Sequence, residues 1–93
     1  MNDFIRNSIA DIRRKMKESN KDILDFEYQN GDDIYFGGKI KDNVSHIYVA
    51  KINSDGNKRG FDIKDIPLLD LYSKECIDII VATAKRHLGY DII

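Results

Sequence analysis

Apolar residues recur at helical spacing at the start of the chain. Over residues 3–18, DFIRNSIADIRRKMKE, the side chains of Phe4, Ile5, Ile9, Ile12 and Met16 fall on one side of a 3.6-residue repeat. Asn2 or Asp3 is available as N-cap and basic residues fill the last turns, where the helix dipole favours them, so a helix is predicted there. After SNKD the period falls to two. Leu24, Phe26 and Tyr28 alternate with Asp25 and Glu27, and Ile34, Phe36 and Ile40 alternate with Tyr35 and Lys39, which predicts two strands. A two-residue Asn30-Gly31 turn between them would send Ile34 and Phe36 to the face of Asp25 and Glu27. A three-residue loop, Gln29-Asn30-Gly31, instead pairs Phe26 with Ile34 and Leu24 with Phe36, with Gly31 in the left-handed conformation.

The same register argument continues through SHIYVAKINSDGNKRGFDI, residues 45–63. A two-residue Asp55-Gly56 turn pairs Ala50 with Phe61, Tyr48 with Ile63 and Ile52 with Arg59. The core face then runs through Tyr48, Ala50, Ile52, Phe61 and Ile63, and leaves Tyr35, Ile47 and Val49 as an apolar patch on the other side. The last third, PLLDLYSKECIDIIVATAKRHLG, reads as a helix beginning near Pro67 or Ser73 and stopping at Gly89, with Lys85, Arg86 and His87 in its last turn. Leu69, Tyr72, Cys76, Ile80 and Thr83 form one stripe, while Ile77, Ile79, Val81 and Ala84 make the helix apolar on more than one side. Such a helix serves as a central core element or as a homodimer interface, and the trailing Ile92 and Ile93 suit either.

The predicted fold is α+β: an N-terminal helix, a four-stranded antiparallel meander and a C-terminal helix packed on the sheet. A strongly bent sheet closing into a small barrel is the alternative. Phe26, Phe36, Ile52, Phe61 and Ile80 are the expected core.

Composition limits the size of that core. A 93-residue chain supports one domain, 1–93, and a chain of this length buries only about 60–65% of its unfolded surface. Apolar residues at 42% and charged residues at 33% place it among ordinary globular chains. Cys76 is the one cysteine, which excludes an internal disulfide, and no stretch reads as a signal peptide or membrane span, so the expected compartment is the cytoplasm. Fifteen Ile, ten Lys and seven Asn against four Ala suggest an AT-rich source such as a low-GC bacterium or its phage.

A net charge of −1 argues against nucleic acid as the partner, because phosphate neutralisation drives most of that affinity. Locally the charge is segregated. Arg6, Arg13, Arg14, Lys15, Lys17 and Lys21 dominate the first segment, whereas Asp22, Asp25, Glu27, Asp32 and Asp33 lie in a stretch with no Lys or Arg.

No catalytic or metal-binding constellation emerges. Asn53, Asp55, Gly56 and Asn57 share part of a calcium loop, but its remaining ligands and the glutamate at the twelfth position are missing, so a hairpin turn is the better reading. Asp32 and Asp33 sit at a turn without a partner base, His46 and His87 lack companions at metal-ligand spacing, and Cys76 lies within the most apolar helix as a small hydrophobe. Gly37-Gly38 falls inside a strand, where it implies a bulge or a close backbone approach. No cofactor is called for.

HIYVAKINSDGNKRGFDIKDI, 46–66, with LDFEYQNGD, 24–32, resembles the Sm-like barrel of bacterial WYL regulator domains through Arg59, Phe61, Ile63 and Ile66. The resemblance covers about half the chain and implies a barrel with a nucleotide or nucleic-acid ligand. Asp62, Lys64 and Asp65 stand where that family carries its ligand-holding charges.

The expected function is therefore a small non-enzymatic binding protein, encoded by a phage or mobile element, that docks on a host protein with a basic surface. Inhibition or modulation of a nucleic-acid-handling defence enzyme is the role this suggests. Asp22, Asp25, Glu27, Asp32 and Asp33, with Tyr35, Ile47 and Val49, are the candidate contact residues. The alternative is a nucleic-acid or nucleotide-binding regulator using Lys39, Lys51, Lys58, Arg59 and the first helix.

Overall fold

The computed structural model describes residues 2–20, 22–31 and 33–88. Helix α1 (Asn2–Ser19) is followed by strands β1 (Ile23–Asn30), β2 (Ile34–Lys41), β3 (Val44–Ile52) and β4 (Lys58–Pro67), then by the single turn α2 (Leu68–Leu71) and by α3 (Lys74–Leu88). The strands form one antiparallel sheet in the order β1-β2-β3-β4, so the fold is α+β as the sequence predicts. It is an open sheet and not a barrel, with β1 and β4 as its two edges.

Helix α1 forms where the apolar period requires it. Ile5, Ile9 and Ile12 are buried, with Phe4 and Met16 packed at their margins. Asp3 lies inside the helix and places its charge in the favourable first turn. Buried Ser8 donates its hydroxyl hydrogen to the Phe4 carbonyl at 2.8 Å, which satisfies it without a partner from the core. Asn20, at φ +55°, ends the helix in the left-handed conformation. Asp11 fixes α1 to the sheet by accepting the Tyr28 hydroxyl at 2.6 Å. That bond, followed by those from Arg14 and Lys15, holds the Asp11 carboxyl well below the usual carboxylate range.

The first hairpin has the predicted loop length at a different place. Asn30 pairs with Ile34, Tyr28 with Phe36 and Phe26 with Gly38, so the loop is residues 31–33 and not 29–31. The loop moves by two residues and the pairing register by four, an even number that leaves every side chain on its own face, which is why alternation could not detect it. The slide sets the Phe26 ring across from a residue with no side chain while keeping it 5.8 Å from the Phe36 ring.

The second hairpin overturns the predicted face of β3. Asp42 and Asn43, at φ +52° and +63°, form a two-residue turn of the mirror-image type I class, whose twist matches that of paired strands. It places Val49 opposite Phe36 and Ile47 opposite Gly38. Ile47 and Val49 are therefore fully buried in the core, and Tyr48, Ala50 and Ile52 face the other way. The apolar patch expected from Tyr35, Ile47 and Val49 does not exist, because only Tyr35 lies on that side.

The third hairpin shifts by one residue in compensation. The Gly56 N–H donates to the Asn53 carbonyl at 2.9 Å and the Asn53 N–H to the Asn57 carbonyl at 2.7 Å. This is a type I turn closed by Gly56 at φ +86°. The Asp55 carboxylate accepts both the backbone and the side-chain N–H of Asn57, each at 3.0 Å, as a turn residue does. Phe61 thus pairs with Val49 and Ile63 with Ile47, keeping both on the core face. Farther along, Lys64 and Asp65 together oppose His46 in a bulge, with Asp65 at φ +58°.

Both long helices pack on this one face of the sheet. Ile77, Ile80, Val81, Ala84 and Leu88 make the buried stripe of α3, rotated from the expected one, and leave Leu69 at 82% and Ile79 at 60% exposure. Both predicted starts occur: α2 follows Pro67, and Ser73 caps α3 by accepting the Cys76 N–H at 3.1 Å. The predicted stop at Gly89, together with Ile92 and Ile93, lies outside the described residues. Ile52, expected in the core, is half-buried on the opposite face. Among the described residues no helix is long and apolar enough to cross a membrane.

Candidate functional site

With the helices gathered on one side, no element among the described residues covers the second face of the sheet. Three cross-strand rows build it. Asp25, Lys39 and His46 form one, Glu27, Gly37, Tyr48 and Asp62 the next, and Gln29, Tyr35, Ala50 and Gly60 the third. Small residues lie low between the two tyrosines, so the surface is concave. A depression of about 590 Å³ is bordered by Asp25, Glu27, Lys39, His46, Tyr48 and Asp62. A second, of about 360 Å³, continues along Ala50, Lys58 and Gly60.

Tyr48 is the centre of this face. Its ring lies across Gly37 and its hydroxyl donates to the Glu27 carboxylate on β1, spanning three strands. The arrangement requires glycine, since a Cβ at position 37 would occupy the space of the ring. The Lys58 ammonium stands 5.6 Å from the ring centroid on the other side. Near the rim the His46 imidazole and the Asp62 carboxylate approach to 3.9 Å, a pair that becomes ionic when His46 is protonated. Three carboxylates, Asp25, Glu27 and Asp62, stand against Lys39 and His46 around the larger depression.

The bond to Glu27, and then desolvation, push the Tyr48 phenol up to about 12 from its ordinary value of 10.0. The sign follows from linkage. The unfolded chain loses this proton near pH 10 and the folded chain near 12, so the contribution to stability is complete below pH 10 and is lost between 10 and 12. Absorbance titration should find a tyrosine ionising near pH 12. Gly37→Ala, which displaces only the far end of the Tyr48 ring, should return that ionisation toward 10 while the fold persists. An unchanged titration in the variant would show that the ring does not lie over Gly37.

The structure brings some of the sequence candidates together and separates others. Asp25 and Glu27 share the open face with Tyr35. Asp22 is exposed just before β1, and Asp33 is half-buried just after the strand, where its carbonyl accepts the Ile52 N–H at 2.8 Å. The 8-residue strand between them spans about 23 Å and carries Asp25 and Glu27 along its length. Asp32 lies outside the described residues. Ile47 and Val49 are in the core. Of the alternative basic set, Lys39 and Lys58 lie on the open face, whereas Lys51 and Arg59 pair with each other on the helix-bearing side. Sequence reasoning missed Tyr48, Gly37, His46 and Asp62. The signal that would have found them is the Asp42-Asn43 turn, which sets the parity of β3.

Among the described residues no three His, Cys, Asp or Glu side chains are grouped as metal ligands. No protein-family model matches the chain, and neither the curated proteins nor the solved structures return a match.

Proposed function

We propose that the protein is a small non-enzymatic binding module that docks the open face of its sheet on a partner protein with a basic surface. The observation that carries this is the uncovered face itself, where Tyr48 is held in place by Glu27 over Gly37 and is bordered by Asp25 and Asp62. A tyrosine pre-positioned in a depression is the kind of anchor that protein interfaces use, because little side-chain freedom remains to be lost on binding. Rim carboxylates would steer a cationic partner toward it. Basic surfaces are what nucleic-acid-handling enzymes present to their substrates, so inhibition or modulation of such an enzyme, by a protein of phage or mobile-element origin, is the role we favour.

The test compares the wild-type chain with an Asp25→Lys, Asp62→Lys double variant, both immobilised in a bacterial lysate. Both acids are exposed on the sheet surface, so the variant should unfold at nearly the wild-type temperature. The wild type should retain a basic protein that the variant loses. With that protein purified, the reversal should slow association about tenfold or more and remove its salt dependence. Equal capture and equal rates would reject the open face as the docking surface.

A further inference from the structure

The helix layer carries a depression of the opposite charge. It measures about 640 Å³ and lies between α1 and the α2–α3 corner. Arg6, Arg13, Arg14 and Lys17 border it, and among the described residues no carboxylate does. Arg6, Ala10, Arg13 and Lys17 follow one another at i, i+4, i+7 and i+11, which places them in a single stripe of α1 about 16 Å long. Arg14 is bound to Asp11 and Glu18, but among the described residues Arg6, Arg13 and Lys17 have no ion-pair partner. The Arg13 guanidinium is held over the Tyr72 ring at 5.3 Å from its centroid, so it is positioned at the mouth of the depression. Exposed Ala10 leaves a gap between Arg6 and Arg13, and Ile9, Ile77 and Tyr72 give the depression an apolar floor.

We infer that this groove is a second docking site, and that it takes an acidic amphipathic helical segment of another protein. Three unpaired cations along one helix face match carboxylates repeating along a facing helix, and the gap at Ala10 admits an apolar side chain from the same segment. A nucleic-acid backbone would satisfy the cations but offers nothing to the apolar floor, and the chain's net charge of −1 opposes it. The site is on the other side of the molecule from the open sheet face and does not depend on it.

The probe is a fluorescein-labelled helical peptide of about 12 residues, or three turns, with Leu at i, i+3, i+4 and i+7 and Glu elsewhere. Its Lys-for-Glu counterpart, a single-stranded DNA and a duplex serve as the other arms, all read by fluorescence anisotropy. The acidic peptide should bind, and the basic peptide and both DNAs should not. Arg6→Glu with Arg13→Glu should weaken binding about tenfold or more, as should Ala10→Phe, which fills the gap without changing charge. All three positions are exposed, and unchanged circular dichroism and thermal unfolding will show that the fold is retained. Failure of the acidic peptide to bind, binding that ignores both variants, or tight salt-sensitive DNA binding at this face would each overturn the inference.

Discussion

Phe36→Ala is expected to destabilise the fold by about 3–5 kcal/mol, the range for removing a fully buried aromatic ring from a packed core. A domain of this length has about 5–14 kcal/mol in total, so the loss is a large share of what keeps it folded. Phe36 is wholly inaccessible. It stands opposite Tyr28 on one side and Val49 on the other, and its ring packs against that of Phe26. The buried core cluster around it is built of Ile, Leu, Val, Ala and Phe side chains, so a cavity there would be apolar and its walls would lose contacts outright. Urea unfolding followed by circular dichroism measures the change, with an unaltered slope confirming that stability and not the denatured state has moved. Ile52→Ala is the matching control. Because the Asp42-Asn43 turn places Ile52 half-exposed on the open face, its truncation should cost about 1 kcal/mol or less. Equal losses at the two sites would mean that β3 has been assigned the wrong face.

The second large effect is expected at Gly38. A Cβ there would collide with the His46 carbonyl and come within 2.9 Å of the Ile47 Cα, both of them backbone. Neither can move without parting β2 from β3 at the middle of the sheet, so Gly38→Ala should cost about 3 kcal/mol or more. The neighbouring glycine provides the contrast. At Gly37 the obstacle is the end of the Tyr48 ring, which can swing aside, so the same substitution there should cost only the Tyr48–Glu27 bond, well below the loss at Gly38, and disturb chiefly the open face. A pair of adjacent Gly→Ala variants with similar unfolding free energies would contradict this account of why two glycines sit together in a strand.

The elements were legible because periodicity reports them directly. Ile5, Ile9 and Ile12 recur at helical spacing, Phe26 and Phe36 alternate with polar neighbours, and Ser73 offers a cap, so helices and strands fall close to their predicted ranges. What alternation cannot report is how two strands are joined. A register shift of four residues, being even, changes no face, so the loop at 31–33 was invisible to it, and the faces of β1 and β2 were right although their pairing was not. A slip of one residue inverts a strand, and Asp42-Asn43 decided that parity for β3. Neither residue is glycine, so the pair does not stand out as a turn that demands positive φ at both positions. The candidate site suffered in proportion. Asp25, Glu27 and Tyr35 were placed correctly because β1 and β2 were, whereas Ile47 and Val49 were exchanged for Tyr48 with the strand that carries them. His46 and Asp62 meet only across β3 and β4, a proximity with no trace in local sequence.

The meander also sets how the molecule is assembled. Each strand is joined to its spatial neighbour by a connection of two to five residues, so the whole sheet is built by local closures whose entropic cost is small. The long-range closure is the meeting of α1 with α3, which brings the first and last helices together over the core. Docking of these helices adds no side chain to the row of Glu27, Gly37, Tyr48 and Asp62. The open face is thus specified by the middle of the chain alone, and the helices provide the stability that keeps it in place.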